Sequence, residues 1–228
     1  MKKITYDGWE LEFFDKASNF RSYQFDLIKK NLKGRVAEIG PGNGIFVDKY
    51  KSLVDEIHLY EPSSNFLKNL ESKKINNVKI FNSNFIEKPN YYDSILYLDV
   101  FEHIENDQLE LNKAYNSLKQ NGCLIINVPA CQHLYSQFDK DINHFRRYSK
   151  TNFLKLIKDY DLKKVDLKYY DSIGYLLSLA SKNSKLDYKK NFSLKIKIWD
   201  NLIIFSRIID FLIFNIFGKS LMIKCIKK

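Results

Sequence analysis

Three glycines that alternate with other residues follow an apolar segment at residues 35–39, and this stretch carries the clearest chemical signal in the chain. The glycines are Gly40, Gly42 and Gly44, and Glu38 precedes them. Glycine lets the backbone approach a ligand closely and adopts positive φ at little cost, so the turn is typical of a cofactor-binding loop. The pattern differs from the G-x-G-x-x-G of a pyrophosphate-binding turn. Because the Glu38 carboxylate disfavours a phosphate, we expect a positively charged cofactor.

A second carboxylate, Glu61, stands about 20 residues beyond the glycine loop and is followed by Pro62. It ends the second apolar segment of strand length. An acid at such a strand end can accept hydrogen bonds from both hydroxyls of a ribose. The spacing therefore indicates a cofactor that contains a nucleoside.

A long polar loop between residues 127 and 149 holds most of the remaining chemistry-bearing side chains. A loop of this length between a strand and a helix is unusual unless it covers a site. Its candidate groups for a hydroxylated or anionic acceptor are Tyr135, Asp139, His144, Arg146, Arg147 and Tyr148. A hydroxyl acceptor needs a general base, for which His144 is the first candidate, followed by Asp139 and His103. The two arginines suit a phosphate or carboxylate, or they bind nearby aspartates and shape the loop.

Apolar segments of strand length alternate with helical patterns from Gly34 onward, which predicts an α/β fold with a mostly parallel sheet. We predict seven strands, near 35–39, 55–60, 77–81, 93–98, 122–128, 163–170 and 221–226. Predicted helices cover 43–53, 63–73 and 105–119, and another opens at Ser149. The expected architecture is a Rossmann-like three-layer sandwich with an antiparallel last strand.

The glycine loop and the segment Asp99-Val100-Phe101-Glu102-His103 resemble the class I S-adenosylmethionine-dependent methyltransferases, whose motifs are an acid before G-x-G-x-G and a later D-x-x-E-H. The resemblance covers nearly the whole chain. The segment Asn143-His144-Phe145-Arg146-Arg147-Tyr148 is similar to a G-H-x-R-R-Y motif in a subgroup associated with cell-envelope glycan genes. Asn143 replaces the glycine of that motif.

The resemblance implies S-adenosylmethionine as the cofactor. It implies that Glu38, the three glycines, Glu61, Pro62, Asn84, Phe85 and Asp99 bind this cofactor. Asp99 borders the methionine portion in this interpretation. Asn84 stands where the family usually places an aspartate against the adenine amino group, so this contact would lack a charge. Glu102 and His103 order the loop or touch the acceptor.

Charge and cysteines narrow the choice of partners. Residues 150–228 hold 17 Lys or Arg against 7 Asp and no Glu, which accounts for the whole net charge of +10. This excess indicates an anionic lipid or nucleic acid near that end, or only a biased genome composition.

The three cysteines have no disulfide or zinc-like spacing with the four histidines, so we expect no metal. The start of the chain lacks the apolar run of a signal peptide, and we expect a cytoplasmic protein.

We expect one domain over 1–228, made of an N-terminal helical segment (1–33), a cofactor-binding core (34–171), a helical insertion or lid (172–217) and a last strand (218–228). The insertion begins with a loop and continues as an apolar segment at 198–217. Its charges disfavour a transmembrane helix. Its polar positions form a narrow stripe (Asp200, Asn201, Ser206, Arg207 and Asp210). The wide apolar face would meet the core, a partner or the inner face of a membrane.

The sequence thus predicts a methyltransferase that acts on a small-molecule or lipid-linked acceptor, with a hydroxyl of an envelope sugar or isoprenoid-type precursor favoured. Two alternatives stay open: methylation of a quinone precursor, and a non-catalytic binding protein with a degenerate cofactor pocket. No aromatic and basic signature of RNA binding is present, so nucleic acid is disfavoured. The oligomeric state is not predicted.

Overall fold

The computed structural model describes residues 8–73, 75–182 and 189–228, and its centre is a seven-stranded sheet with helices on both faces. The strands are β1 (Arg35–Ile39), β2 (Glu56–Tyr60), β3 (Val78–Phe81), β4 (Tyr92–Leu98), β5 (Leu118–Pro129), β6 (Leu162–Tyr170) and β7 (Ser220–Lys227). Their order in the sheet is β3-β2-β1-β4-β5-β7-β6. The first five strands pair in parallel, and β7 is antiparallel to both of its neighbours. The predicted Rossmann-like fold is confirmed.

The described helices connect these strands and cover the sheet. They are α1 (Leu11–Phe14), α2 (Ser18–Ile28), α3 (Val47–Tyr50), α4 (Ser64–Ser72), α5 (Asp107–Ser117), α6 (Gln137–Asp141), α7 (Lys150–Leu156), α8 (Ser172–Ser181) and α9 (Phe192–Leu212). Residues 1–7 of the predicted N-terminal segment and 183–188 of the predicted insertion lie outside the described residues.

Three predicted elements were wrong in detail. The helix expected over 43–53 is confined to α3, because positive φ at Gly44 keeps the turn before it out of the helical conformation. The helix expected over 105–119 ends at Ser117, since Leu118 already pairs with Tyr92 in the sheet. The loop expected after residue 172 is the helix α8.

Apolar side chains of the central strands fill a core on each face of the sheet. In β1, Val36, Ala37 and Ile39 are buried, as expected for a parallel strand that is covered on both sides. One core lies between the sheet and helices α2, α3 and α9, and includes Val36 and Ile203. The other lies under α5 and α7 and includes Ala37.

The helix α9 packs through its polar stripe. Asp200, Ser206 and Asp210 are buried and bind backbone amides of α2 and of the start of α8, whereas Asn201 is exposed. The sequence left open whether the wide apolar face meets the core, a partner or a membrane. The free amides at the helix starts provide partners for the polar stripe, and Trp199 and Ile203 of the same helix join the core, while much of the apolar face is exposed.

None of the helices in the described ranges has both the length and the hydropathy that a membrane span requires.

Candidate active site

The glycine loop lies between the end of β1 and the helix α3 and contacts the ends of neighbouring strands. Gly40, Gly42 and Gly44 all have positive φ, between 54° and 66°. A Cβ atom on Gly40 would lie 2.7 Å from Cγ2 of Val100, which follows β4. The loop therefore needs glycine here, because a side chain would both strain the backbone and displace the segment after β4.

Glu61 holds the glycine loop against the end of β2. Its carboxylate accepts hydrogen bonds from the amide of Gly42, at 3.1 Å, and from the amide of Ser63, at 2.8 Å. Burial raises the pKa of this carboxyl group above its usual value. Pro62, the neighbouring predicted contact, is half-buried beside it. The structure thus brings together the glycines and the acid that the sequence predicts to bind a nucleoside.

Glu38 lies beneath the loop. Its carboxylate accepts a hydrogen bond from the Tyr50 hydroxyl at 2.6 Å, and only 2% of the residue is exposed. Burial raises its pKa to about 7. A role against a charged cofactor stays a prediction.

Two neighbouring residues predicted to bind the cofactor, Asn84 at the adenine and Phe85, differ in their surroundings. Asn84 is exposed after β3, whereas the ring of Phe85 is buried and packs edge-on against Tyr60, with ring centres 5.1 Å apart. Phe85 therefore belongs to the core of the domain. Contact of either residue with the cofactor stays a prediction.

Asp99, directly after β4, has a left-handed backbone with φ of 59°. Its carboxylate accepts hydrogen bonds from Arg21 and Gln24 of α2, both at 3.1 Å, and from the side-chain amide of Asn127 at 2.5 Å. A non-glycine residue in this conformation is uncommon and persists only when its surroundings fix it. Three donors from two elements fix this side chain at the edge of a cavity.

That cavity has a volume of about 730 Å³, and Asp99 is part of its lining. The next residue, Val100, lies against Gly40 of the glycine loop. The loop after β5 forms one wall, and α8 and α9 form another. Its walls are mostly apolar, and they include the rings of Phe14, Phe20, Phe138, Phe192 and Trp199. A cavity of this size, with mostly apolar walls and polar groups among them, is typical of a small-molecule site.

Asp139 and His144 form a hydrogen-bonded pair on the cavity wall. Nδ1 of His144 lies 2.9 Å from Oδ1 of Asp139, and Arg147 donates to both carboxylate oxygens, each at 2.9 Å. Asp139 is buried and also accepts hydrogen bonds from the amide and hydroxyl of Ser136. The hydrogen bonds from His144 and Arg147 outweigh burial and hold the pKa of Asp139 well below its usual range. The aspartate is therefore ionised and orients the imidazole.

Glu102 and His103 lie beside this pair. Oε1 of Glu102 lies 3.7 Å from Nε2 of His144, and the rings of His103 and His144 are 4.6 Å apart. Burial, and then the negative charge of Asp99, raises the pKa of Glu102 well above its usual value. Burial lowers the pKa of His103 to about 3, so it is neutral at physiological pH. Ligand atoms of Glu102, His103 and His144 lie within 4.8 Å of one another, a grouping that the sequence analysis did not predict.

Three predicted acceptor contacts do not line the cavity. Arg146 forms an ion pair with Asp107 at 2.7 Å, and the Tyr148 hydroxyl donates to the same carboxylate at 2.9 Å. The Tyr135 hydroxyl donates to the carbonyl oxygen of His144. These residues hold the loop in place, and their contact with an acceptor stays a prediction. Arg147 does reach the cavity.

Four cationic residues that line the cavity were not predicted, namely Arg21, Lys182, Lys195 and Lys219. Arg21 lies next to Asp99, and the Lys219 ammonium lies 4.4 Å from the centre of the Trp199 ring, within range of a cation–π contact. Burial lowers the pKa of Lys219. The only sequence signal was the Gly218-Lys219-Ser220 turn before the last strand, and no pattern in α2 marked Arg21.

A model of the methyltransferase domain matches residues 13–167 of this chain. No curated protein sequence matches the chain significantly. Among solved structures, phosphoethanolamine N-methyltransferase 2 of Haemonchus contortus, bound to S-adenosyl-L-methionine, is similar at a TM-score of 0.65 and 14% identity, over 97% of this chain and 58% of that one. The chain thus spans little more than half of that enzyme.

Two further structures are similar in fold over most of both chains. One is an S-adenosylmethionine-dependent methyltransferase from Archaeoglobus fulgidus, with a TM-score of 0.63, 17% identity and coverage of 96% of this chain and 98% of that one. The other comes from a complex of the Haloferax volcanii Trm112 methyltransferase activator with a methyltransferase, with a TM-score of 0.67, 11% identity and coverage of 97% and 96%. The family match, the sheet order and the glycine loop agree: the chain belongs to the methyltransferase-domain family and is a class I enzyme whose cofactor is S-adenosylmethionine.

Proposed function

We propose that this enzyme methylates a hydroxyl group of a small-molecule or lipid-linked acceptor, either an envelope sugar or an isoprenoid-type precursor, with His144 as the general base. The observation that carries the proposal is the hydrogen bond between buried Asp139 and Nδ1 of His144, whose side chain lines the cavity. An alcohol is a poor nucleophile, so its methylation benefits from a base within hydrogen-bonding reach.

The loop with Gly40, Gly42 and Gly44, together with Glu61 and Asp99, is expected to hold the cofactor. When bound, S-adenosylmethionine supplies a methyl group on a sulfonium ion, which is open to in-line displacement. The fixed Asp99 lies where the glycine loop meets the cavity. This arrangement favours an acceptor that enters from the side of α8 and α9.

Within the cavity, ionised Asp139 accepts a hydrogen bond from Nδ1–H of His144, which leaves Nε2 with a lone pair. Nε2 is then the atom that takes the acceptor proton. Arg147 keeps Asp139 ionised. Lys219 places a positive charge on the same cavity wall, which suits an acceptor that carries a phosphate or carboxylate.

Quinone-precursor methylation is the second candidate. The aromatic side chains of the cavity wall favour it, because they suit stacking against a planar ring. A phenolic acceptor would need the same base, so the two candidates share His144.

Two steps test the proposal. Calorimetric titration with S-adenosylmethionine, with NAD as the control ligand, separates a methyltransferase from a degenerate binding protein. Transfer of labelled methyl groups is then measured with a polyprenyl-phosphate sugar, a soluble sugar phosphate and a demethylated quinone precursor. We expect His144→Gln to bind cofactor normally and lose about a hundredfold or more in turnover. The matched control is His133→Gln, an exposed histidine that contacts only the loop and Tyr175. Normal turnover by His144→Gln would refute the assignment of the base.

A further inference from the structure

The outer side of the last turns of α9 and the residues after them form an apolar surface. It consists of Phe205, Ile208, Phe211, Leu212, Phe214 and Ile216, named here the terminal apolar patch. Each of the six is more than half exposed, and Phe214 reaches 86%. Single exposed apolar residues are ordinary, but a contiguous set of this kind marks an interaction site.

The backbone presents Phe214 outward at a conformational cost. Phe214 and Asn215 both have left-handed φ, of 54° and 56°. This region is unfavourable for a bulky residue, whereas asparagine tolerates it. Strain of this kind is found at functional sites more often than elsewhere.

The polar side chains of α9 are used inside the protein. Asp200 accepts a hydrogen bond from the amide of Phe20 at 2.9 Å, and Asp210 accepts from the amides of Asp171 and Ser172 at 2.7 and 3.0 Å. Arg207 pairs with Asp26 of α2. The orientation of α9 is therefore fixed by buried polar contacts together with Trp199 and Ile203 in the core, and the side chains of the terminal apolar patch stay exposed.

The exposed charges of α8 and α9 are positive. Lys190, Lys195 and Lys197 are exposed at the N-terminal end of α9, and Lys182 is exposed at the end of α8. Both carboxylates of α9 are buried, and the described part of α8 has none. A helix with exposed lysines at one end and an exposed apolar surface at the other complements an anionic lipid surface, in which lysines meet headgroups and aromatic side chains enter the acyl boundary. A second copy of this chain would offer the lysines no exposed carboxylate on α8 or α9.

The same two helices lead into the cavity. Leu177 of α8 and Ile198 of α9 line the cavity and are 44% and 51% exposed. The two helices therefore supply both a wall of the cavity and exposed apolar side chains, which suits an acceptor with a hydrocarbon tail.

We propose that α8, α9 and the terminal apolar patch dock in the plane of an anionic lipid bilayer, with the cavity opening toward it. This docking site is independent of the proposed acceptor chemistry, because binding to a bilayer needs neither cofactor nor acceptor.

The test is co-sedimentation of the full chain, without cofactor, with phosphatidylcholine vesicles and with phosphatidylcholine–phosphatidylglycerol vesicles. We expect binding to the anionic vesicles that weakens with salt. The double variant Phe211→Ser/Phe214→Ser is expected to bind at least about tenfold more weakly, since two aromatic side chains no longer enter the bilayer. Lys190→Glu/Lys197→Glu is expected to lose the preference for phosphatidylglycerol.

The matched control is Leu109→Ser/Leu154→Ser, which removes two similarly exposed leucines from α5 and α7, over the other core. It is expected to bind vesicles as the unchanged chain does. The proposal would be overturned if the unchanged chain does not bind the vesicles. It would also be overturned if Leu109→Ser/Leu154→Ser loses as much vesicle binding as Phe211→Ser/Phe214→Ser. A stable dimer in sedimentation velocity that Phe211→Ser/Phe214→Ser dissociates would also overturn it, in favour of a second copy. Calorimetry with S-adenosylmethionine on the same variants measures cofactor binding, so a failure of vesicle binding can be told apart from a failure of the proposed methyl transfer.

Discussion

Oδ1 of Asp139 lies 2.9 Å from Nδ1 of His144, and both oxygens of the same carboxylate accept hydrogen bonds from Arg147. The pair comes from one loop, five residues apart, but the loop is held against the cavity by contacts with distant elements. The amide of Phe145 donates to the carbonyl oxygen of Glu102, for example. The base is therefore oriented before any acceptor binds, which lowers the cost of reaching a reactive geometry.

Asp139→Asn is expected to reduce turnover by about a hundredfold or more, with little change in cofactor affinity. The new amide can donate to Nδ1 of His144, which would place the proton on Nε2 and remove the free lone pair of the base. Single-turnover rates and calorimetry with S-adenosylmethionine measure the two effects. Asp141→Asn, at an exposed position of the same loop, is the control. A loss of cofactor affinity equal to the loss of rate would contradict this role.

Gly42→Val is expected to abolish binding of S-adenosylmethionine in a chain that still folds. Gly42 has φ of 54°, its amide donates to Glu61, and an added Cβ would lie 3.3 Å from Leu11. Valine would strain the loop and shift the carboxylate that it holds. Asn121→Val is the control, because Asn121 has φ of 61° at an exposed position of β5 outside the site. If both variants lose stability equally and both bind cofactor, the loop does not form the cofactor site.

Glu38→Gln is expected to flatten the pH dependence of stability near neutral pH. In the folded state the pKa of Glu38 is raised from 4.5 to about 7. At a pH between these two pKa values, Glu38 is protonated in the folded chain and ionised in the unfolded chain. The contribution of Glu38 to the free energy of unfolding is therefore fully present below the unfolded pKa, and it is lost as the pH rises through the folded pKa. Its size is on the order of 3 kcal/mol.

Urea unfolding at about pH 5 and about pH 8 measures this contribution as the difference between the unchanged chain and the variant. Glu105→Gln, which alters an exposed carboxylate, is the control and should leave the slope unchanged. A Glu38→Gln chain with the original slope would show that Glu38 ionises normally when folded.

The positions of the strands along the chain and the glycine loop could be predicted because each depends on local pattern. The apolar segments of β1, β2 and β4 have polar or glycine neighbours, and parallel strands that are buried on both faces are apolar throughout. Gly42 and Glu61 were associated by their spacing alone, and the structure joins them by a hydrogen bond.

The orientation of α9 could not be predicted from its own residues. Periodicity separates a polar stripe from an apolar face but leaves open which of them meets the core. Asp200 and Asp210 find amide partners at residues 20, 171 and 172, far away in sequence. The different roles of two adjacent arginines have the same cause. Arg147 meets Asp139, and Arg146 meets Asp107 of α5, which only the folded chain places nearby.

Methyl transfer is expected to be independent of metal ions. Ligand atoms of Glu102, His103 and His144 lie close enough to hold an ion, but an ion on Nε2 of His144 would occupy the lone pair that the proposed base uses. Dialysis against EDTA should therefore leave the rate unchanged, and added Zn²⁺ or Mn²⁺ should not raise it. Loss of activity with EDTA and its recovery with a divalent ion would assign these three residues to a metal site.

Asp210→Ala is expected to lower the free energy of unfolding by about 3 kcal/mol or more. The carboxylate is fully buried and accepts hydrogen bonds from the amides of Asp171 and Ser172 and from the hydroxyl of Tyr23. Alanine would leave these three donors without an acceptor, each at a desolvation cost, and would loosen α9 from β6 and α2.

Asn201→Ala is the control on the same helix, because Asn201 is exposed and its loss should change stability by no more than about 0.5 kcal/mol. Urea unfolding of both variants provides the measurement. Equal stability of the two variants would mean that α9 is held by its apolar contacts, and that the outward position of its apolar face is not fixed by the buried aspartates.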